Sequence, residues 1–344
     1  MDQVTRHVPA LDHLVAQGLL NDDPFVLIDA GCSGGIDGIW RHFGRNLVAH
    51  GFDPQKSECR RLQERESFPG VHYHAAFVGL PPDDPFVQGK SSMDREVMEY
   101  FNPWNRLSTA YAYNNFTRAR AQSNSIGEDL VDEVPVRIDD FIRDEKLERV
   151  DFIKIDVDGP DLDVLRTTRD IVRPCGVLGF SLEVNFTGSH YESDNTLHNT
   201  DLIMRSMGFV LCDLSIRRYS RAALPAPFLL NMFAQTRFGQ PIQGDAVYLR
   251  DIASPQYRKL WDEEPTPSQL LKMVGLYEMF RLPDLAAEAL QVWRSTLAPL
   301  VDIDRLLDLL TPPLNGESLS HADYLARFME DPTRFFPEAL KPKA

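Results

Sequence analysis

The chain lacks any apolar run near the ~20 residues that a membrane-spanning helix requires. Its opening stretch, MDQVTRHVPALDHLVAQGLL, lacks the basic start and continuous apolar core of a secretory leader. The expectation is therefore a cytoplasmic protein with no membrane span, beginning with an amphipathic helix that ends near Asn21. Cysteine is scarce: Cys32, Cys59, Cys175 and Cys212 are the 4 present, far apart and with no C-x-x-C pair. That excludes a zinc ribbon or a disulfide framework and leaves four reduced thiols. Positive charge is also short, with 36 Lys and Arg against 51 Asp and Glu and a net charge of -15. Such a balance argues against nucleic acid or an anionic membrane as partner. Even the local cluster Arg217, Arg218 and Arg221 reads first as a solvated basic turn.

What the chain does have is alternation. Its hydrophobic content of 43% and charged content of 25% are those of a globular protein. FVLIDAG, NLVAHGFDP, GVHYHAAFVG, VDFIKIDV and VLGFSLEVNF read as strands, with helix-like QKSECRRLQERES and DLDVLRTTRDIV between them. GFVLCDLSI and GDAVYLRD read as closing strands, with room for an antiparallel edge member. The pattern predicts an α/β fold with a doubly wound, mostly parallel sheet. The expected organisation is an N-terminal helix over 1–24, a catalytic domain over 25–251 and an all-helical extension over 252–344. Within the domain, 81–134 is too long for an ordinary connection and carries the aromatic centre YFNPWNRLSTAYAYNNF, expected to be a substrate wall or lid. The helical extension is expected to pack or to form a homodimer rather than to do chemistry.

The first strand runs into DAGCSGG, where Gly31, Gly34 and Gly35 let the backbone turn sharply and approach a ligand. A helix after the turn would aim free N–H groups at an anion. The dinucleotide pattern G-x-G-x-x-G fails at Ser33 and Ile36, which weakens a nicotinamide-dependent reading. Acidic-x-Gly-x-x-x-Gly matches at Asp29, Gly31 and Gly35, and resembles the first motif of class I S-adenosylmethionine-dependent methyltransferases. Asp53, at the end of the next strand in HGFDP, stands where a second acid would hold the ribose hydroxyls. Asp29, Gly31, Cys32, Gly34, Gly35 and Asp53 are thus the candidate cofactor residues.

VPVRIDDFI followed by VDFIKIDVDGPDLDVLR resembles the hallmark of FkbM-type methyltransferases, a strand and turn of the form I-K-I-D-V-E-G after a short "ID-D" segment. DAGCSGG, GFDP and GDAVYLR fall in the order of that family, so the likeness covers roughly residues 25 to 250. Asp158, Pro160 and Asp161 stand where the family more often has Glu, Ala and Glu. The resemblance implies S-adenosylmethionine as cofactor and O-methylation of a hydroxyl on a sugar, glycan or natural product.

Lys154 in the middle of an apolar strand needs a partner, because a dry, unpaired charge costs several kcal/mol. Strand geometry puts Phe152, Lys154 and Asp156 on one face, so Asp156 is one partner; Glu183 is the preferred distant one. Asp158 is expected to cap the next helix with Pro160 at its first position, and Asp161 and Asp163 to complement its dipole. Methyl transfer to an alcohol needs a base. Asp156 is the first candidate and His198 the second, with His190 in the same loop and Lys154 and Glu183 as supporting catalytic residues. A metal-free site is expected; the rival is Mg²⁺ held by Asp156 with Asp158 or Glu183. Trp104, Tyr111 and Tyr113 are expected to stack on the acceptor, with Arg106, Ser108 and Thr109 as polar contacts. The competing reading is a non-catalytic scaffold that works through its C-terminal helices.

Overall fold

The structure, a computed structural model, describes residues 4–90, 93–101, 130–131, 134–219 and 235–336. Eight strands form one sheet: β1 (Phe25–Ala30), β2 (Leu47–Asp53), β3 (Val71–Ala75), β4 (Phe152–Ile155), β5 (Gly179–Asn185), β6 (Val210–Leu214), β7 (Arg217–Tyr219) and β8 (Gln240–Leu249). Their order is β3-β2-β1-β4-β5-β8-β6, with β7 paired to β8. The pairs among β1 to β5 are all parallel, while β8 runs antiparallel between β5 and β6. The antiparallel member is therefore interior rather than at the edge. All six residues of β1 are buried, as expected of a strand covered on both faces. The chain leaves β1 for β2 on one side and later reaches β4 on the other. The crevice between the carboxyl ends of β1 and β4 is thus a topological switch point, where open α/β sheets bind ligands.

The helices are α1 (Pro9–Ala16), α2 (Lys56–Arg65), α3 (Pro85–Lys90), α4 (Arg95–Phe101), α5 (Ile138–Asp144), α6 (Asp161–Arg166), α7 (Leu197–Ser206), α8 (Tyr257–Trp261), α9 (Pro267–Met279), α10 (Pro283–Val292), α11 (Arg294–Leu297), α12 (Ile303–Leu310) and α13 (His321–Glu330). No helix among the described residues is long and apolar enough to cross a membrane. Helix α9 begins with a capping box, Thr266 bonding reciprocally with Gln269, and every residue from Gln269 to Met279 is buried. A helix buried all round must find partners for its charges. Lys272 donates to both Asp151 carboxylate oxygens (3.0 and 2.9 Å) and to the carbonyl of Pro24 (3.0 Å). Glu278 accepts the amides of Ala10 and Leu11 at 3.0 and 2.8 Å, at the start of α1. Phe280 stacks on Phe152 of β4 at 5.5 Å, so the C-terminal helices share one hydrophobic core with the sheet.

Several elements differ from the sequence expectation. Helix α1 ends at Ala16 rather than near Asn21. After the glycine turn comes a 3-10 helix, Gly38–Asn46, whose first amides are engaged by Asp37 and whose Trp40 and Phe43 stack on Phe25. No helix N-terminus is therefore offered to a ligand there. Helix α6 stops early because Thr167 and Thr168 turn their hydroxyls onto the carbonyls of Val164 and Leu165, both at 2.7 Å. The supposed basic turn is strand β7, and Arg217 is half-buried and held in ion pairs; Arg221 lies outside the described residues.

Candidate active site

Parallel pairing of β1 with β4 sets Asp29 directly opposite Lys154. The Lys154 ammonium donates to Asp29 Oδ1 at 3.0 Å and to the Gly31 carbonyl at 3.3 Å, and lies 3.7 Å from Asp156 Oδ2. Asp29 is only 2% exposed and Lys154 13%. Burial works against the ammonium charge, but Asp29 and Asp156 more than offset it and hold the Lys154 pKa above its ordinary value. The expected partner Glu183 is not the one used. Lys154 sits opposite Ser181 on β5, leaving Glu183 two residues further along, where Arg217 from β7 takes it.

Gly31 has φ +89°, and a Cβ there would lie 1.7 Å from the Asp156 carbonyl. Its bare backbone lets the glycine turn and the turn after β4 abut, and the Asp156 amide donates to the Ala30 carbonyl at 2.9 Å. Gly34, at φ +84°, has nothing within 4 Å of where its Cβ would be, so this part of the turn opens onto free space. Its amide donates to Glu58 of α2 at 3.3 Å. Cys32 is buried with its thiol against Gly51, so only its backbone faces the turn. Asp53 ends β2, is 7% exposed, and accepts the Gln55 amide at 2.8 Å; burial raises its pKa against that bond.

The acids after β4 divide their roles differently from the sequence reading. Asp158 has φ +55° and is exposed, and Pro160, not Asp158, is the N-cap of α6. Asp161 folds back instead: its carboxylate accepts the amides of Val157 (2.9 Å) and Gly159 (3.2 Å) and the side-chain amide of Asn195 (3.0 Å). Burial pushes it up to about 6, against those bonds. Asp163 pairs with Lys90 at 2.6 Å.

Glu183 accepts from Arg217 and Gln243, each at 2.6 Å, while Arg217 also holds Asp245. Burial, then Asp156 and Asp161, push Glu183 up to about 8 against the pull of Arg217. Asp156, Asp158 and Glu183 present oxygens within 4.8 Å of one another. The structure thus brings Asp29, Lys154, Asp156 and Glu183 together at one crevice. His198 is not among them: it is exposed on α7 and, with His190, lines a 580 Å³ cavity that reaches the end of β5 at Asn185. Trp104, Arg106, Ser108, Thr109, Tyr111 and Tyr113 lie outside the described residues. Sequence reasoning missed Arg217, Asn195 and the stapling role of Asp161. Only Arg217 carried a signal, as a cation following an apolar run.

The family model of the methyltransferase FkbM domain matches residues 39–211, about half of the chain. The chain belongs to this family. The match holds Asp53, Lys154, Asp156 and Glu183, but begins after the glycine turn of this FkbM-domain methyltransferase and ends before its C-terminal helices. No curated protein matches the chain. Among solved structures it is similar to magnesium protoporphyrin IX methyltransferase of Synechocystis PCC 6803 with bound SAM, at 10% identity, 71% of this chain, 80% of that one and a TM-score of 0.29. Precorrin-6y C5,15-methyltransferase of Geobacter metallireducens GS-15 shares 10% identity over 70% of this chain and 87% of that one, TM-score 0.29. N-methyltransferase NodS of Bradyrhizobium japonicum WM9 shares 8% over 70% and 93%, TM-score 0.27.

Proposed function

We propose that the protein transfers a methyl group from S-adenosylmethionine to a hydroxyl of a sugar, glycan or natural product. The observation that supports this best is the line Asp29–Lys154–Asp156, which sets the glycine turn and the Asp156 carboxylate beside one ammonium group at the switch point. The residues fit the cofactor: the open backbone at Gly34 suits its amino-acid end, and the buried carboxylate of Asp53 suits its ribose hydroxyls. When bound, S-adenosylmethionine supplies an electrophilic methyl group on a positively charged sulfur. Lys154 fixes the orientation of Asp156, and Asp156 takes the proton of the acceptor hydroxyl as its oxygen attacks. Glu183, held by Arg217, walls the far side of the crevice. His198, on the cavity that reaches the end of β5 at Asn185, is the second candidate base. Alignment of the hydroxyl with the methyl group supplies most of the acceleration.

Calorimetry tests the reading. Asp53→Ala removes charge-assisted bonds to the ribose, each ~1.5–3 kcal/mol, so affinity falls roughly 100-fold. Asp156→Asn leaves cofactor affinity intact and abolishes methylation. Unchanged affinity in Asp53→Ala refutes the cofactor placement, and absence of turnover in the unmodified protein favours a scaffold. The spacing of Asp156, Asp158 and Glu183 supports a second reading, in which a divalent ion activates the hydroxyl. Loss of turnover with chelator and its return with Mg²⁺ would establish it.

A further inference from the structure

We propose that the groove between the turn at residues 167–176 and the C-terminal end of α7 binds a small organic diphosphate, with Arg169 and Arg173 on its phosphates. The groove has a volume of about 620 Å³ and carries Arg166, Arg169 and Arg173 in its lining against Asp170. That volume falls within the ~300–1,000 Å³ of small-molecule sites. The groove sits at the opposite end of the sheet from the candidate active site. The turn leads into the start of β5 and α7 into the start of β6, whereas Glu183 lies further along β5. Gly179 and Glu183 are separated by roughly 13 Å of strand. A ligand here is therefore neither the cofactor nor the methyl acceptor, and the site stands or falls independently of the methyl-transfer reading.

Acids outnumber basic residues 51 to 36 in this chain, yet no carboxylate among the described residues is ion-paired with any of the three arginines. What holds them is neutral. The Arg173 guanidinium donates to the carbonyls of Trp261 (2.8 Å) and Leu260 (2.7 Å) and lies 5.2 Å from the Trp261 ring centre. Arg166 lies over the Phe86 ring at 3.6 Å and donates to the Glu192 carbonyl at 3.5 Å. Arg169 is exposed and has no hydrogen-bond or ion-pair partner among the described residues. Acids close by are already taken, Asp163 by Lys90 and Asp201 by Arg205, both at 2.6 Å. Burial, then the charge of Arg169, hold the Arg166 pKa below its ordinary value, against the pull of Asp163, Glu192 and Asp84. Positive charge is thus crowded at this rim, and Asp170 offsets only part of it.

The chemistry of the lining sets the ligand class. Guanidinium forks match phosphate oxygens two at a time. Two N–H groups of Arg173 are held by carbonyls, which fixes the side chain; its other donors remain, and the residue is exposed. Arg169, free of partners, closes on a second phosphate, so a diphosphate engages both forks while Arg166 adds its field from behind. The carbonyls that end α7 would repel an anion, but they are covered. The Met207 amide donates to Ile203 at 3.1 Å, Gly208 to Arg205 at 3.0 Å and Phe209 to Met204 at 3.1 Å. Val172, Pro174 and Met207 give an apolar wall for the uncharged body of the ligand.

The test is calorimetric titration of the full chain at low ionic strength with UDP, UMP and a hexaglutamate peptide. UDP binds, and UMP binds at least about tenfold more weakly, because one arginine is left without a phosphate. Hexaglutamate does not bind. Arg169→Gln lowers UDP affinity by about tenfold and leaves the thermal midpoint unchanged, since no contact within the described fold rests on this side chain. Arg305→Gln, which removes the same charge from an exposed position on α12, changes neither quantity. Absence of UDP binding overturns the site, as does equal affinity for UMP or unchanged UDP affinity in Arg169→Gln. An equal loss in Arg305→Gln would show a general charge effect and overturns it too. Hexaglutamate binding as tightly as UDP would make the groove a surface for an acidic polypeptide, which also overturns the diphosphate site.

Discussion

Replacing Lys154 with Met keeps the length and apolar stem of the side chain and removes its charge. Asp29, 2% exposed, then loses its 3.0 Å ammonium partner, and the Gly31 carbonyl loses its 3.3 Å donor. Breaking a buried pair from one side costs ~3–5 kcal/mol, because the remaining charge stays dry and uncompensated. Domains are stable by only ~5–15 kcal/mol, so the loss is a large share of the total. The direction of pH dependence follows. Without Lys154 the Asp29 carboxyl is driven further above its ordinary value by burial, so it binds a proton more tightly folded than unfolded. The deficit of the variant is therefore largest above that raised value and shrinks as pH falls through it. Adding Asp29→Asn removes the stranded charge, and the double variant recovers most of the loss. Urea titrations followed by tryptophan fluorescence at pH 7.5 measure all four corners of the cycle. A cost below ~1 kcal/mol for Lys154→Met, or strict additivity of the two substitutions, would falsify the idea that this pair supports the site.

Two further outcomes are expected. Lys272→Met takes the ammonium from Asp151, which is 3% exposed, bonded at 2.9 Å and left with the Val26 amide, and from Asp23 at 3.0 Å, so unfolding free energy drops by ~3–5 kcal/mol and α9 loses its tie to the residue that leads into β4; a midpoint equal to that of the unmodified protein in denaturant titration would refute this. His50, packed under α5 against Phe141 and beside His74 and His72, is pushed by burial and by those neighbours from 6.5 down to about 4. The unfolded chain takes up the proton first, so His50 removes stability as pH falls from 6.5 to about 4, with a ceiling of ~3 kcal/mol. Glu183 and Glu278, pushed up to about 8 and 7, act in the opposite sense, so the readout is the difference between the protein and His50→Phe across that window. A constant difference would show that the imidazole does not titrate as described.

Much of the site was legible because it is local in sequence. A glycine turn after a buried strand, an acid at the end of the next, and a lysine two residues before Asp156 all declare themselves within short windows. The strands of the parallel sheet were legible for the same reason, since fully buried strands are continuous apolar runs. Partners across the sheet were not. Strand geometry offers Lys154 the nearby Asp156, which it does approach at 3.7 Å, but for the distant partner it points to Glu183, whereas spatial order puts β1 beside β4 and gives that place to Asp29. Arg217 went unrecognised because a three-residue strand has too little pattern to read, and its role exists only where β7 meets β8.

By itself the sequence determined which chemistry is carried: the turn that only glycine can make, the acids that end the strands, and the charges that must find partners because burial without them is too costly. The tertiary structure alone decided who those partners are. It gave Asp29 to Lys154, Arg217 to Glu183 and Asp151 to Lys272, because pairing depends on strand order and register, which arise from the packing of the whole core rather than from any window of the chain.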